Sequence, residues 1–330
     1  MKTYTWGILG LGKIAAQFAQ ALNAVDNTRI ICASRTVEKA KAFAERFNTY
    51  KYYGSYAELV KDSEVDVIYV ATPMSCHYDD VMLCLENGKN VLCEKSVTLN
   101  ASQWNELTEY ATSKGLFLME AMWMKFNPTF LTVKKWVNDG RIGDVVAVKA
   151  DLCNRCVYDE NDRLFVKNLG GGALLDLGVY VLTLACDFLG YSPDKVESAI
   201  RIGKSGADFN DAITLKYNNG NYADLASSFD YLSENKAYIL GTNGSIVIGQ
   251  WFHCARDAEL FDENGKSVEV YDKEFICNGY EYEILHVMDC LERGLIQSDV
   301  QTHEKTLAIM KIMDGIRRDN EFVYEGFENN

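Results

Sequence analysis

The stretch Gly10-Leu11-Gly12-Lys13-Ile14-Ala15 decides the fold of the first third of this chain. Alone, Gly-x-Gly-x-x-Gly/Ala is a short pattern built from a common residue. Its flanks give it meaning. Residues 4–9, with Tyr4, Trp6, Ile8 and Leu9, read as a buried strand. Residues 14–25 read as a helix whose apolar stripe is Ile14, Phe18, Ala21, Leu22 and Val25. Strand, glycine turn and helix in that order suit a pyrophosphate. Gly10 permits the tight turn, Gly12 lets the backbone approach the phosphates, and Ala15 lets the helix close on the strand. The helix N-terminus then offers free N–H groups and a partial positive charge to the anion. Lys13 and Ile14, at the mouth of this helix, join Gly10 and Gly12 as candidate cofactor-binding positions.

The alternation continues outward from this turn. Strands are predicted over 29–34, 51–53, 65–71, 90–93 and 116–120, with helices over 37–47, 56–61, 78–85 and 101–114. Strands alternating with helices imply a parallel sheet with right-handed crossovers. Six strands with the glycine turn after the first define a doubly wound α/β Rossmann domain, with the ligand at the carboxyl ends of the strands. Beyond it the pattern changes. Helices are predicted over 128–138 and 173–189, and strands over 145–152, 195–202, 212–217, 222–229, 236–240, 245–248, 258–261 and 268–271. Asn219-Gly220, Asn243-Gly244 and Asn264-Gly265 mark hairpin turns. Two helices, 280–293 and 303–318, finish the chain. This part reads as an α+β domain with a large, mostly antiparallel open sheet. The expected division is 1–122 for the dinucleotide-binding domain and 123–330 for a substrate-binding and oligomerisation domain.

A chain of 330 residues suits two domains. The formal net charge of −14 argues against nucleic acid and against anionic membrane surfaces as partners. No apolar stretch reads as long enough to span a bilayer, and Met1 runs directly into the first strand, so a cytoplasmic setting is expected. The ten cysteines follow no disulfide framework. Cys32, Cys84, Cys93, Cys186 and Cys290 sit inside apolar runs and read as small buried hydrophobes. Cys153-Asn154-Arg155-Cys156 lacks a second pair, and His253, His286 and His303 show no ligand spacing, so no metal is expected. Cofactor choice is written at the end of the second strand. A carboxylate there binds the adenine ribose of NAD; this chain has Ser34-Arg35, with Lys39 a turn further on. A guanidinium there stacks on adenine and pairs with a 2′-phosphate, which favours NADP over NAD.

Four motifs together resemble a known family. They are Gly10-x-Gly12-x-x-Ala15, Thr72-Pro73-x-x-x-His77, Glu94-Lys95 after the fifth strand, and Gly171-Gly172-Ala173-Leu174-Leu175-Asp176-Leu177-Gly178-Val179-Tyr180. The chain is similar to the Gfo/Idh/MocA oxidoreductases over nearly its whole length. Phe117-Leu118-Met119-Glu120-Ala121-Met122-Trp123 and Tyr180 are similar to the branch of dimeric dihydrodiol dehydrogenase and NADP-dependent D-xylose dehydrogenase. The resemblance implies hydride exchange between a bound nicotinamide and a sugar, cyclitol or diol. It also implies a cofactor role for Thr72, Pro73 and His77. A second reading from another class is a non-catalytic sensor of nucleotide or sugar on the same fold. A third is a sugar–sugar oxidoreductase with tightly held cofactor. Retention of both Lys95 and Tyr180 speaks against the sensor.

Within that resemblance the residues suggest roles. Oxidising an alcohol needs a group to take its proton, and Tyr180 is the candidate acid–base. Its phenol titrates ordinarily near about pH 10, and an ammonium such as that of Lys95 favours the phenolate. Asp176, four residues before Tyr180 on the same predicted helix, is expected to accept hydrogen bonds from substrate hydroxyls. Glu94 is expected to hold the cofactor or Lys95. His77 reads either as a cofactor neighbour or as a helix-capping or surface histidine. Gly170-Gly171-Gly172 reads either as a close approach to the nicotinamide or as a turn. Where the family has proline after Glu-Lys, this chain has Ser96, so a trans Lys95–Ser96 bond is expected. Trp123, Phe126, Arg155 and Tyr158 are candidate substrate-lining residues. Apolar side chains on both registers of 222–226 and 237–240 predict a homodimer built through the second sheet.

Overall fold

The computed structural model describes residues 2–326. Two compact units divide the chain: Met1–Phe126 with Phe275–Thr306, and Asn127–Glu274 with Leu307–Asn330. The first contains β1 (Tyr4–Leu9), α1 (Lys13–Asn23), β2 (Thr28–Ala33), α2 (Val37–Phe47), β3 (Lys51–Tyr53) and α3 (Tyr56–Lys61). It continues through β4 (Val67–Val70), α4 (His77–Glu86), β5 (Asn90–Glu94), α5 (Ala101–Lys114) and β6 (Leu118–Ala121). These strands form one sheet in the order β3-β2-β1-β4-β5-β6, parallel throughout. Every residue of β1, β4 and β6 is buried, as expected for strands covered by helices on both faces. The strand order reverses beside β1, at the turn that carries Gly10 and Gly12.

The second unit opens with α6 (Pro128–Asn138) and β7 (Val145–Cys153) and continues with α7 (Val179–Leu189), β8 (Lys195–Ile202), β9 (Asp208–Lys216) and β10 (Tyr222–Ser228). Then come β11 (Ala237–Gly241), β12 (Gly244–Ile248), β13 (Asp257–Asp262) and β14 (Ser267–Asp272). Eight strands run in the order β14-β13-β12-β11-β7-β10-β9-β8, and β7–β10 is the parallel pair in an otherwise antiparallel sheet. The three Asn-Gly turns join β9 to β10, β11 to β12 and β13 to β14. One face is apolar: Val148, Ala150 and Leu152 of β7 lie with Leu225, Ile213, Ile239, Ile246 and Leu260, under α7. The opposite face is mixed. Its central row places Thr214, Asp224, Lys149, Tyr238, Val247 and Glu259 side by side. Charges in that row thin out the apolar face that the two-register pattern suggests.

Helix α8 (Tyr280–Glu292) belongs to the first unit, although the sequence division counts it with the second domain. It packs on α1, and the Tyr280 and Phe18 rings meet edge to face at 6.3 Å. The last helix, α9 (His303–Asp319), begins in the first unit and ends in the second.

Two expectations about the 173–189 segment change. It is not one regular helix: Leu174–Gly178 form a π turn, and α7 follows from Val179. Residues Lys167–Leu189 are also long and apolar enough, by length and composition, to cross a membrane, contrary to the reading that no stretch is. Most of that window is buried inside the protein against the sheet, and a glycine-rich turn interrupts it, so its apolarity is that of a core helix.

Candidate active site

The glycine turn at the end of β1 has two different glycines. Gly10 sits at φ +90°, where a Cβ would come within 2.8 Å of Thr72 Cγ2 and 2.9 Å of the Ala71 backbone. The fold itself demands glycine there. A Cβ on Gly12 would meet nothing within 4 Å. Gly12 is the N-cap of α1 and supplies no capping side chain, so the first-turn N–H groups face that open space. This combination fits a pyrophosphate. At the end of β2, Ser34 is buried and its N–H donates to the Tyr53 carbonyl at 3.2 Å, while Arg35 and Lys39 are exposed. The Arg35 charge reaches Tyr56, Cys76 and Asp80 and favours their ionised forms, though burial raises all three pKa values on balance. Asp80 accepts a hydrogen bond from Thr72 Oγ1 at 2.7 Å, which anchors the turn after β4. Pro73 is exposed beside it.

The second cluster surrounds the loop after β5. The Lys95–Ser96 bond is cis, which corrects the trans expectation. An isolated peptide bond was the wrong reference, because tertiary hydrogen bonds define this loop. The Ser96 carbonyl lies 3.1 Å from His77 Nδ1, and the Val97 N–H donates to Glu120 Oε1 at 3.3 Å. His77 Nε2 lies 2.9 Å from the Thr72 carbonyl. Both ring nitrogens therefore face carbonyls, and the ring is buried. His77 thus ties the loops after β4 and β5 together, and it is buried rather than a surface or helix-capping histidine. Glu120, on β6, was not marked as a site residue by its sequence. It is buried and accepts from Val97, from Gln301 Nε2 and from Thr306 Oγ1, the last two at 3.0 Å. Burial raises its pKa and these donors oppose the rise.

Glu94, at the end of β5, is buried and accepts from the Tyr69 hydroxyl. Phe18 stacks on Tyr69 at 3.6 Å. Glu283 of α8 is fully buried nearby, and both its carboxyl oxygens lack a hydrogen-bond partner among the described residues. Burial first, then the Glu94 charge, holds the Glu283 pKa well above the ordinary carboxylate range. Helical spacing in an apolar stretch gave no hint of this. Of the candidate lining residues, Trp123 is buried against Tyr280, with ring centroids 4.4 Å apart, and Phe126 against His286 at 4.5 Å.

Burial also makes His77 a pH sensor of stability. Desolvation pushes its pKa down to about 4, below the unfolded value of about 6.5. The unfolded chain therefore binds more protons between those values, and stability falls as pH drops from about 6.5 to about 4. Above about 6.5 the group contributes no slope. His77→Gln should remove about 3 kcal/mol of this pH dependence, the linkage equivalent of the shift. Denaturant unfolding of parent and variant at several pH values tests it; parallel curves would contradict it.

In the second unit, Tyr180 lies in the first turn of α7, is 5% exposed, and has its ring 4.8 Å from that of His253. Asp176 sits in the π turn and pairs with Arg163 at 3.3 Å. Arg163 is a site neighbour that the sequence reading did not mark. Because the turn is π, the four-residue offset from Asp176 to Tyr180 is not the regular helical step that was expected. π turns of this kind are frequent at functional positions. The glycines before it serve the turn: a Cβ on Gly171 would come within 2.6 Å of the Arg163 carbonyl, and one on Gly172 would run into Asp208. Arg155 is exposed, and Tyr158 packs on Phe165 at 5.1 Å with the Lys204 ammonium 3.7 Å above its ring. Lys95 belongs to the first unit, Asp176 and Tyr180 to the second.

The structure gathers His286, Cys290 and Asp299 so that their donor atoms lie within 4.8 Å of one another, a cluster that linear spacing did not reveal. Its members are otherwise engaged. His286 Nε2 bonds Ser298 Oγ at 2.7 Å, Asp299 pairs with Arg293 at 2.8 Å, and burial pushes the Cys290 thiol up to about 11. All ten cysteines are free, and the five expected to be buried hydrophobes are buried.

Sequence comparison bears on the geometry. Residues 4–122 match the model of an oxidoreductase family with an NAD-binding Rossmann fold, and residues 130–247 match the Gfo/Idh/MocA C-terminal domain. A trans-1,2-dihydrobenzene-1,2-diol dehydrogenase of Xenopus tropicalis is 35% identical over 325 residues, covering 94% of this chain and 96% of that protein. Its counterpart in Homo sapiens is 30% identical over 322 residues, at 95% and 96% coverage. Among solved structures, KijD10, a 3-ketoreductase from Actinomadura kijaniata in complex with NADP and TDP-benzene, superposes with a TM-score of 0.86 at 24% identity, covering 96% of this chain and 98% of its own. A levoglucosan dehydrogenase in complex with NADH and levoglucosan gives 0.87 at 18% identity, covering 96% and 97%. A glycine turn open to a pyrophosphate, on a Rossmann sheet joined to a large open sheet, thus defines a nicotinamide-dependent oxidoreductase. The chain belongs to the Gfo/Idh/MocA family.

Proposed function

We propose that this chain is an NADP-dependent dehydrogenase of a vicinal diol, sugar or cyclitol, with Tyr180 as the acid–base and Lys95 as its assisting cation. The observation that carries this reading is the near full-length similarity to dihydrodiol dehydrogenases, and it is supported by Lys95 and Tyr180 in the motifs on which the family resemblance rests. The bound nicotinamide supplies the hydride acceptor or donor. Gly10, Gly12, Lys13 and Ile14 serve its pyrophosphate; Ser34, Arg35 and Lys39 serve the adenine ribose. Thr72, Pro73, His77 and Glu94 shape the loops beside it. Tyr180 exchanges the proton of the substrate oxygen, and Asp176, paired with Arg163, orients neighbouring hydroxyls. Ten free cysteines suit a reducing, cytoplasmic setting. Turnover of diols, aldoses and cyclitols with both cofactors tests the reading.

NADP is preferred over NAD in this reading because no carboxylate follows β2 and Arg35 is exposed there. Arg35→Ala should weaken NADP about tenfold more than NAD, since a charge-assisted contact to the 2′-phosphate alone is lost. Dissociation constants for both cofactors decide it; equal losses would leave Arg35 with no 2′-phosphate role.

The second-unit sheet is proposed as a homodimer face. Support comes from Tyr222, Tyr238, Leu240 and Val247 on its less buried side, among the charges already described. Light scattering at low micromolar concentration should give about twice the 37.2 kDa of one chain. A monomer mass would contradict it.

A further inference from the structure

Strand β9 begins with two carboxylates, Asp208 and Asp211, both fully buried. An offset of three points side chains to opposite faces of a regular strand. Here the pairing with β8 slips: Arg201 opposes Asn210 but Ile202 opposes Asp208, so Phe209 is an extra residue on β9. Such a bulge re-aims side chains. Asp208 and Asp211 consequently face one another's charge inside the protein. Asp208 Oδ2 accepts from the Leu174 N–H at 2.6 Å, at the first residue of the π turn. Ser227 of β10 donates to Asp211 Oδ2 at 2.8 Å, and a Cβ on Gly178, the last residue of the turn, would lie 3.1 Å from Ser227 Oγ. The Tyr324 hydroxyl donates to the Gly171 carbonyl at 3.1 Å, and the Arg317 guanidinium lies 5.0 Å over the Tyr324 ring.

We propose that Asp208 is a positioning residue for catalysis, its carboxylate holding the start of the π turn that carries Asp176 and leads into Tyr180. This rests on the reading of Tyr180 as the acid–base. Gly172 is glycine because Asp208 occupies the space of a Cβ, so the turn and the carboxylate are built around each other. Burial opposes ionisation of both acids; the Leu174 N–H and then Arg317 of α9, itself paired with Asp314 at 2.8 Å, favour the Asp208 carboxylate, and Ser227 favours that of Asp211. Burial first, then the Asp208 charge, holds the Asp211 carboxyl well above the ordinary carboxylate range. Asp208 is pushed up to about 6, so its charge is present above that pH and lost below it.

The test compares Asp208→Ala, Asp208→Asn and Tyr180→Phe in the full-length protein, measuring kcat and KM against pH, NADP dissociation and thermal unfolding. Asp208→Ala should lower kcat about tenfold or more with NADP binding unchanged. Asp208→Asn keeps an oxygen for the Leu174 N–H but cannot titrate. It should hold at every pH the lower kcat that the parent reaches below about pH 6, above that of Asp208→Ala and without the parent's fall around that pH. Lower thermal stability with unaltered kcat and pH profile would overturn the proposal. Should Asp208→Ala not fold, the Asp208→Asn profile decides alone: an unchanged acid fall overturns it. Near-normal turnover in Tyr180→Phe would instead sink the underlying reading, whatever Asp208 does.

Discussion

Tyr180→Phe and Lys95→Met should each lower turnover by about a hundredfold or more, the scale of one acid–base contribution. Removing the Tyr180 hydroxyl takes away the group proposed to exchange the substrate proton and leaves the ring packed against His253. Because the substitution leaves the glycine turn and its backbone contacts untouched, NADP affinity should be unchanged in Tyr180→Phe. Steady-state kinetics with a cofactor titration check both parts. Turnover near that of the parent would remove Tyr180 as the acid–base.

Gly12→Val should leave thermal unfolding close to that of the parent and weaken NADP by about a hundredfold, equivalent to about 2.7 kcal/mol. The reason is the open space at its Cβ beside the N-terminus of α1, where the pyrophosphate is proposed to sit. Gly10→Ala should do the opposite. At φ +90° and against Thr72 and Ala71, an added methyl costs about 1–3 kcal/mol of stability before any ligand is considered. Calorimetric melts beside cofactor titrations separate the two. If Gly12→Val bound NADP normally, the pyrophosphate would have to lie elsewhere.

The first unit's sheet was legible because its signals are local. Buried runs such as Val67–Val70 and the left-handed Gly115 after α5 place strands and helices to within a residue or two. The hairpins of the second sheet were legible from their Asn-Gly turns. What escaped depends on distant partners. The start of β9 was missed because buried Asp208 and Asp211 break the alternation that marks a strand, and their partners lie on other elements. Glu120 looked like the polar end of a strand, but its value comes from Val97, Gln301 and Thr306. The π turn is one residue wider per turn than the pattern used to read it. The cis Lys95–Ser96 bond has no signal of its own once proline is absent.

The most direct test of the account follows the near-ultraviolet absorbance of reduced nicotinamide when purified protein and NADP meet a panel of vicinal diols, aldoses and cyclitols. The account predicts NADPH formation with at least one of them, faster than with NAD, and nearly lost in Tyr180→Phe. NADP that binds but is reduced by no member of the panel, in either direction of reaction, would contradict it and favour a nucleotide sensor on the same fold.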